Sequence, residues 1–565
     1  MTSRFSYQTR AENIERLGQE HFDILVIGGG ITGAGIARDA SMRGFKTALI
    51  EKTDYGAGTS SKSSKLVHGG FRYLKSGHVG LVRQSLWERK MLMQLAPHLV
   101  IPQRCLIPVY RNSPYSPLQI RVGLALYDML SVTRSIGSHR MLSRDSMLQI
   151  QPGLRETDLR AAGEYHDCTA DDYRLLITTI QSAAEYGLVA ANYTEAKKMQ
   201  MQNGRAGGVF TLDRLSGKYF PVQSRIIVNA AGPWSDDLRR ELFDYGERRL
   251  RLTKGVHIIV SRDTLPLHRI VMVTSIRDGR PLLSIPWKSF VIIGTTDTDY
   301  TGDPDNILTE RDDVDYLLET FNYYFPKANL NDDKIISTFA GLRPLISEEK
   351  KKASEVSREY DIYEEPDNVF TIIGGKLTTY RIMAKELVDT VTKRLAKNFN
   401  RRAKHPKCRT HRIPLFGGDI SRYDTFAGEW LQKIITNHPV DNETAKHLIE
   451  TYGTLVPVVL AACSDAENGF ERIHPSLPYL WGELDHTINY EMTVGLDDFL
   501  IRRTHLFSLD PDQGLSVSES IADRMAGKLN WTPEEKQAQI DRYHHKTNVT
   551  RYYRGSSLGE NALHR

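Results

Sequence analysis

The run Gly28-Gly29-Gly30-Ile31-Thr32-Gly33 follows an apolar stretch, Phe22 to Ile27, and opens a segment with helical spacing. In that setting GxGxxG is a cradle for the pyrophosphate of a dinucleotide. Gly28 and Gly30 let the backbone approach the phosphates, Gly33 lets helix and strand pack closely, and the amides of Ile31 and Thr32 at the helix start stabilise the charge. Glu51, with Lys52 beside it, stands about 20 residues downstream at the end of the next apolar run, where an acidic residue binds a ribose hydroxyl. A second segment with chemistry follows, Thr59-Ser60-Ser61-Lys62-Ser63-Ser64-Lys65 and His68-Gly69-Gly70, dense in hydroxyls, cations and glycines. Such a loop suits a phosphate or the polar edge of a cofactor ring, although on composition alone it is equally a solvated turn. The glycine motif by itself does not separate FAD from NAD.

The elements that must position these residues are legible around them. Phe22 to Ile27 reads as a strand, Ile36, Ala37 and Ala40 as one helical face, and Thr47 to Ile50 as the next strand. Gly44 after Arg43 predicts a left-handed helix stop. Further strands are predicted at Arg225 to Ala231 and at Val369 to Ile373, the latter leading into Gly374-Gly375 and an apolar helical pattern from Thr378. Between them, His257 to Ser261 and Lys288 to Thr295 read as strands of a sheet domain inserted into the nucleotide-binding domain. The fold class expected is α/β: a discontinuous Rossmann-type domain with an inserted sheet over residues 21–396, then a helical domain over 405–545. The polar, basic remainder, 546–565, is expected to be a flexible tail.

Composition narrows the class. A chain of 565 residues needs two or three domains, and its 74 basic against 69 acidic residues, +5 overall, do not indicate nucleic acid. Cys105, Cys168, Cys408 and Cys463 lie far apart without metal spacing, which predicts neither a metal centre nor a disulfide framework and favours a reducing compartment. The polar start, Met1 to Glu20, does not resemble a secretory signal. Apolar stretches such as Leu455 to Cys463 fall short of the roughly 18 residues a spanning helix needs, so any membrane contact is expected to be peripheral.

Several long motifs in one order resemble the FAD-dependent glycerol-3-phosphate dehydrogenase family. They are Asp23 to Ala37, Ser63-Ser64-Lys65-Leu66-Val67-His68-Gly69-Gly70-Phe71-Arg72-Tyr73-Leu74, Val228 to Trp234, Lys254-Gly255-Val256-His257, Ile293 to Asp297, Gly341 to Leu345, Gly374 to Arg381 and, near the C-terminus, Asp497 to Thr504. One departure is Phe71, where many relatives have Leu, an apolar exchange that should be tolerated. The resemblance implies FAD as cofactor and a fold like glycine oxidase and the amine oxidases, with an antiparallel substrate domain facing the flavin. It adds Ala230, Gly232, Trp234, Gly374, Gly375, Leu377 and Thr378 to the cofactor residues already named, with Gly374-Gly375 presenting backbone donors to the pyrimidine edge of the ring.

The resemblance also implies a reaction, oxidation of sn-glycerol 3-phosphate to dihydroxyacetone phosphate with hydride passing from C2 to the flavin N5. That chemistry needs a base for the hydroxyl proton and fixed positive charge for the phosphate and the developing alkoxide. His257 is the candidate base and Arg343 the candidate alkoxide partner. Arg72, Arg358 and Lys376 are assigned to phosphate, with Tyr73 and Thr296 as hydroxyl partners, although the roles of the four cations could be exchanged. The electron acceptor expected is a membrane quinone, because Ala396 to Pro414 is a short connection where many oxidase relatives carry an insertion. Arg401, Arg402, Lys404, Lys407, Arg409 and Arg412 offer charge to anionic lipid. A cytoplasmic enzyme held peripherally at the inner face of the membrane, in a homodimer, is the arrangement the family implies. The alternatives are an oxygen-dependent glycerol-3-phosphate oxidase, an amine or amino-acid oxidase of the same fold, and an inactive flavoprotein scaffold.

Overall fold

The computed structural model describes residues 5–75, 77–131, 136–202, 205–347 and 359–555. Its first sheet sets Val369–Gly374, Tyr219–Asn229, His21–Ile27, Thr47–Ile50 and Val189–Ala191 side by side in parallel, with Tyr360–Glu364 antiparallel at one edge. His21–Ile27 is buried along its length after the first residue. Both of its faces are covered, so its apolar residues run continuously instead of alternating. Ile24, Val26 and Leu49 pack with helices Ile31–Met42, Asp172–Ala184 and Tyr380–Phe399, whereas Leu25, Ile27 and Ala48 pack with Leu17 and Phe22 on the other side. Ile27 is in register with both Asn229 and Ile50. The glycine turn therefore emerges at the carboxyl ends of three neighbouring strands, where open parallel sheets bind their ligands. Gly44 has φ +84° and ends its helix as its sequence context predicts.

The second sheet has ten strands, drawn from segments on either side of Tyr219–Asn229, as an insertion requires. It is predominantly antiparallel, although Ile270–Thr274 joins Val100–Tyr110 in parallel. Towards one edge lies Leu250–Ser261, paired with Phe290–Gly294 on one side and Ile335–Ile346 on the other. Phe71 packs against Tyr127 and Tyr165, with centroids 5.7 and 5.5 Å away, and against Gly123. A leucine side chain would leave that aromatic contact unmade.

Beyond Phe399 the chain forms helices that include Tyr423–Asn437, Asn442–Tyr452, Val456–Asp465, Trp481–Tyr490, Leu515–Leu529 and Pro533–Thr550. The expected boundary between helical domain and flexible tail at 545/546 is corrected here, because it cuts through the last helix. Lys546 pairs with Asp497, Thr547 is buried, and the chain continues to Tyr553, which is 5% exposed. Residues 556–565 lie outside the described residues. The segment Asn442–Asp465 is long and apolar enough to cross a bilayer, with a mean hydropathy of 1.2, but 56% of it is buried in the core of its own helical layer.

The helical region is locked to the first sheet by buried ions. Asp54 accepts from Arg502 Nε at 2.5 Å, from both nitrogens of the Arg503 fork and from Asn192, while Arg174 pairs with Glu491 at 2.6 Å. Such a network contributes little net stability over an apolar replacement, yet removing one partner strands the other, so it fixes one docking geometry.

Candidate active site

A cavity of about 880 Å³ opens beyond the glycine turn. Gly28, Gly30, Ile31, Thr32, Glu51, Lys52, Thr59, Ser60, Ser61, Ser63, Lys65, Ala230, Gly232, Trp234, Gly374, Gly375, Lys376 and Leu377 all line it, which brings most of the predicted cofactor residues into one space. The glycines divide by role. A Cβ on Gly33 would lie 1.9 Å from the Gly28 carbonyl oxygen, and one on Gly28, at φ +112°, 2.5 Å from the Ala230 oxygen, so these two serve the contact between strand and helix. At Gly30 a Cβ would meet Ser60 Oγ at 3.1 Å and otherwise point into open space, and at Gly232 it would meet nothing within 4 Å. Those positions keep the cavity clear for a ligand.

The donor set fits FAD. Helix Ile31–Met42 starts at Gly30, which has no side chain to cap it, and has no acidic residue in its first turn; its positive end faces the cavity, with the Ile31 amide given to Ser60 Oγ. Glu51 Oε2 accepts from the Gly29 amide at 2.8 Å and Oε1 from the Thr53 amide at 2.9 Å, which aims the carboxylate at the cavity with lone pairs to spare. Burial pushes its pKa upward. Lys52 pairs with Asp305 and lies 4.5 Å over the Trp234 ring, whose Nε1 is buried with no partner among the described residues. Gly374 and Gly375, at φ +83° and +89°, turn the backbone from the end of their strand into the cavity wall.

The Ser-rich loop is not a solvated turn. Ser60 Oγ accepts from the Ile31 amide at 2.9 Å, Thr59 Oγ1 donates to the Leu342 carbonyl at 2.6 Å, and Ser63 and Lys65 bind Asp172. Ser64 turns away from the cavity to His257, with Oγ 2.8 Å from Nε2. Gly69 and Gly70 support the protein itself. A Cβ on Gly69 would strike Tyr127, and one on Gly70, at φ +80°, would strike Tyr73. The His68 amide donates to Thr378 Oγ1 at 3.2 Å.

The predicted substrate residues form a chain beside this loop. His257 is 2% exposed and stacks on Phe339, and its Nδ1 has no partner among the described residues. Burial, then the positive charges of Arg343 and Lys65, push its pKa down to about 3, so the ring is neutral. Arg343 donates to Asp297 at 3.1 Å, to Thr295 Oγ1 at 3.0 Å and to the Thr296 carbonyl at 3.1 Å, and Thr296 Oγ1 accepts from the Val256 amide. Arg72 donates to the Tyr73 hydroxyl at 3.0 Å, and Lys376 Nζ lies 3.8 Å over the Tyr73 ring. His68 is half-buried and is pushed down to about 3 by desolvation and then by Lys376 and Arg72. Both imidazoles are kept neutral first by burial and then by the cations beside them, Arg343 and Lys65 for one, Lys376 and Arg72 for the other, a setting with positive charge available to a phosphate dianion. Arg358 lies outside the described residues.

Sequence reasoning missed two parts of the site. Asp172, the anchor of the Ser-rich loop, is separated from it by more than a hundred residues and carries no motif of its own. The wall formed by Ile501, Arg502, Phe507, Lys546 and Val549 comes from the helical region. The Asp497 to Thr504 motif was the available signal for that wall.

The profile for FAD dependent oxidoreductases matches residues 23–390, and that for the C-terminal domain of alpha-glycerophosphate oxidase matches 408–536. Aerobic glycerol-3-phosphate dehydrogenase of Staphylococcus saprophyticus is 37% identical over 535 residues, 94% of this chain and 95% of its own length. The protein of that name from Staphylococcus aureus is also 37% identical, over 540 residues. The structure of glycerol-3-phosphate dehydrogenase from Bacillus halodurans complexed with FAD superposes with a TM-score of 0.81 at 32% identity, covering 97% of this chain and 98% of that one. L-alpha-glycerophosphate oxidase from Mycoplasma pneumoniae, with a TM-score of 0.53 at 19% identity over 70% of this chain and 99% of its own, shares the fold.

Proposed function

The chain belongs to the FAD-dependent glycerol-3-phosphate dehydrogenase family, and from that premise we propose that His257 is the base for the C2 hydroxyl of glycerol 3-phosphate. FAD, when bound, would accept the hydride that leaves C2 with both electrons, while the hydroxyl proton goes to the protein. Every other task falls to side chains of this protein. Neutral His257 takes the hydroxyl proton at Nδ1, which has no partner among the described residues, and Arg343, held by the loop Thr295 to Asp297, faces the oxygen as it becomes negative. Arg72 and Lys376, gathered on Tyr73, hold the phosphate together with Arg358, and Thr296 completes the polar lining. The backbone of Gly28 to Gly33, Glu51 and the hydroxyls of Ser60 and Ser61 hold the dinucleotide in its cavity.

The observation that carries this reading is a buried, neutral imidazole whose Nδ1 has no partner among the described residues, with the Arg343 guanidinium nearby. Anaerobic addition of glycerol 3-phosphate to the purified yellow protein tests it. The flavin bleaches, whereas His257→Ala protein bleaches far more slowly, and equal rates would overturn the base assignment.

For the electrons we favour a membrane quinone. The connection after Phe399 runs directly over the nucleotide-binding sheet, with Arg401 on Asp23 and the Arg38 guanidinium donating to the Ile413 and Pro414 carbonyls, and it carries no added element. Helices Val79–Leu95 and Pro117–Leu130 expose Val79, Trp87, Leu118, Val122 and Met129, with Arg83 and Arg121 also exposed. An apolar face set among cations supports peripheral attachment to an anionic bilayer. Reoxidation of the bleached protein decides the acceptor. Rapid turnover with a short-chain quinone and negligible peroxide is expected, and peroxide released in step with substrate would make the protein an oxidase.

A further inference from the structure

His257 is confined on three sides. Phe339 covers one face of the ring at a centroid distance of 4.6 Å, Gly294 lies against the Cδ2 edge where any Cβ would come within 2.3 Å, and Ser64 Oγ stands 2.8 Å from Nε2. Phe339 and Gly294 are the register partners of His257 on the two flanking strands, so those contacts belong to the substrate sheet. Ser64 does not. It belongs to the loop that leaves the nucleotide-binding sheet, and something must hold that loop against the ring.

The pairing of Leu66–Val67 with Leu159–Ala170, just after Ser64, and one buried carboxylate do so. Asp172 is fully buried at the start of helix Asp172–Ala184. Its Oδ2 accepts from the amide and hydroxyl of Ser63, at 3.1 and 2.7 Å, and its Oδ1 accepts from Lys65 Nζ at 2.5 Å and from the Tyr173 amide at 2.9 Å. The residues on both sides of Ser64 are thereby tied to one anion. Lys65 sits at φ +53°, a region a lysine rarely adopts, and its carbonyl accepts from the Ala170 amide at 2.8 Å. The backbone turn that aims Ser64 at the imidazole is held by these contacts.

We propose that Asp172 and Ser64 are positioning residues for the reaction: Asp172 fixes the loop, and Ser64 accepts from Nε2–H of His257, leaving the Nδ1 lone pair for the proton of the substrate's C2 hydroxyl. Which ring nitrogen carries the proton is set by the partner of the other one. A hydroxyl can donate or accept, so Ser64 alone admits either tautomer; with Nδ1 buried and without a partner among the described residues, a proton there would be an orphaned donor, whereas a proton on Nε2 is bonded by Ser64, which favours the Nε2–H form. The inference rests on His257 being the base, and it adds the means by which that base is kept in its competent form.

Two readouts test it on the FAD-loaded full chain. Long-range proton–nitrogen spectra of histidine-labelled protein, with His257→Asn for assignment, report the tautomer without reference to turnover. The native ring is expected to be Nε2-protonated, Ser64→Ala and Asp172→Asn to give mixed tautomers, and Ser64→Thr to restore the native signal. Bleaching by glycerol 3-phosphate should slow about 10- to 100-fold in Ser64→Ala and recover in Ser64→Thr, the range seen when a group that orients an active histidine is removed. The half-saturating substrate concentration should stay within about twofold, since the phosphate contacts are untouched. An unchanged tautomer or an unchanged bleaching rate in Ser64→Ala overturns the proposal, whether or not Asp172→Asn folds. Normal bleaching in His257→Ala would remove the base assignment beneath it, and the spectra keep the two failures apart.

Discussion

The rings of His257 and Phe339 lie face to face, with centroids 4.6 Å apart and planes inclined by 13°, on neighbouring strands of the substrate sheet. The stack removes water from one face of the imidazole, and that loss of hydration disfavours its charged form. Together with Arg343 and Lys65 it accounts for a ring that stays neutral far below the ordinary histidine range. His257→Ala should therefore slow single-turnover flavin reduction by about two to four orders of magnitude, the usual cost of losing a general base. Stopped-flow bleaching under anaerobic conditions measures it.

The same environment makes the titration of His257 depend on ligand. In the substrate-free protein its ring signals should not titrate across about pH 5 to 8, the span in which an ordinary histidine does. A bound phosphate dianion offsets the repulsion from Arg343 and Lys65, so adding glycerol 3-phosphate or inorganic phosphate should move the titration upward. Nuclear magnetic resonance of the labelled ring reports the direction, and a downward shift would contradict an anion site beside it.

Buried neutral histidines also set a stability slope. His98 is 1% exposed with neither ring nitrogen bonded among the described residues, and burial, then Arg174, push its pKa down to about 3, as in His257. Both folded-state values lie below the unfolded value of 6.5. The unfolded chain therefore takes up protons first, and the stabilisation present above about pH 6.5 is lost as pH falls toward 3. Each group contributes up to about 1.4 kcal/mol per pH unit in that window. Melting temperature should fall between pH 7 and pH 4.5, and His98→Leu should flatten the decline; an unchanged slope would place the acid sensitivity elsewhere.

Gly30 and Gly33 separate binding from folding. A Cβ at Gly33 meets backbone at 1.9 Å, so Gly33→Ala should destabilise the nucleotide-binding sheet itself, seen as a lower melting temperature or insoluble protein. Gly30→Val faces open cavity and should fold but emerge colourless, with native circular dichroism and no flavin absorbance. Yellow Gly30→Val protein with full flavin content would sink the reading of that turn as a diphosphate cradle.

Asp54 tests the lock between the helical region and the nucleotide-binding sheet. Asp54→Ala removes the carboxylate that Arg502 and Arg503 share in a buried site, leaving Arg502 on Asp498 and Arg503 on the Glu491 carbonyl, and should cost up to about 3–5 kcal/mol, whereas breaking the exposed Arg251–Asp299 pair should cost less than about 1 kcal/mol. Because Arg502 also lines the cavity, Asp54→Ala should loosen flavin binding as well, measurable as faster release of free flavin during gentle heating.

What could be read from the chain, and what could not, follows the range of the interactions. The turn Gly28 to Gly33, Glu51 and the strand into Gly374-Gly375 declare themselves through local spacing, and the structure brings them to one cavity. Asp172 could not be found in that way. In sequence it is an acid at the start of a helix, an ordinary arrangement, and its partners Ser63 and Lys65 lie 109 and 107 residues away. The end of the last helix was missed because its polar run, His544 to Asn548, has little apolar periodicity. Its ends are held instead by Lys546 on Asp497 and by burial of Tyr553.

Attachment to a bilayer should depend on a few side chains far in sequence from the site. On helix Pro117–Leu130 the exposed apolar residues Leu118, Val122 and Met129, at 69, 61 and 62% exposure, recur on one side at helical spacing, while Ile120, Leu124 and Tyr127 point into the protein. Exposing three large apolar groups on one stripe is costly in water and favourable at a lipid interface, where Arg121 and Arg83 would meet anionic headgroups. Leu118→Asp/Val122→Asp should abolish co-sedimentation with phosphatidylglycerol vesicles, whereas turnover with the soluble dye dichlorophenolindophenol should remain within about twofold, because neither residue touches the cavity. Replacing Arg402 and Lys404 in the connection should weaken sedimentation only modestly, since that segment offers charge without exposed large apolar side chains among the described residues. Full vesicle binding by the double aspartate variant would move the lipid contact to another face of the molecule.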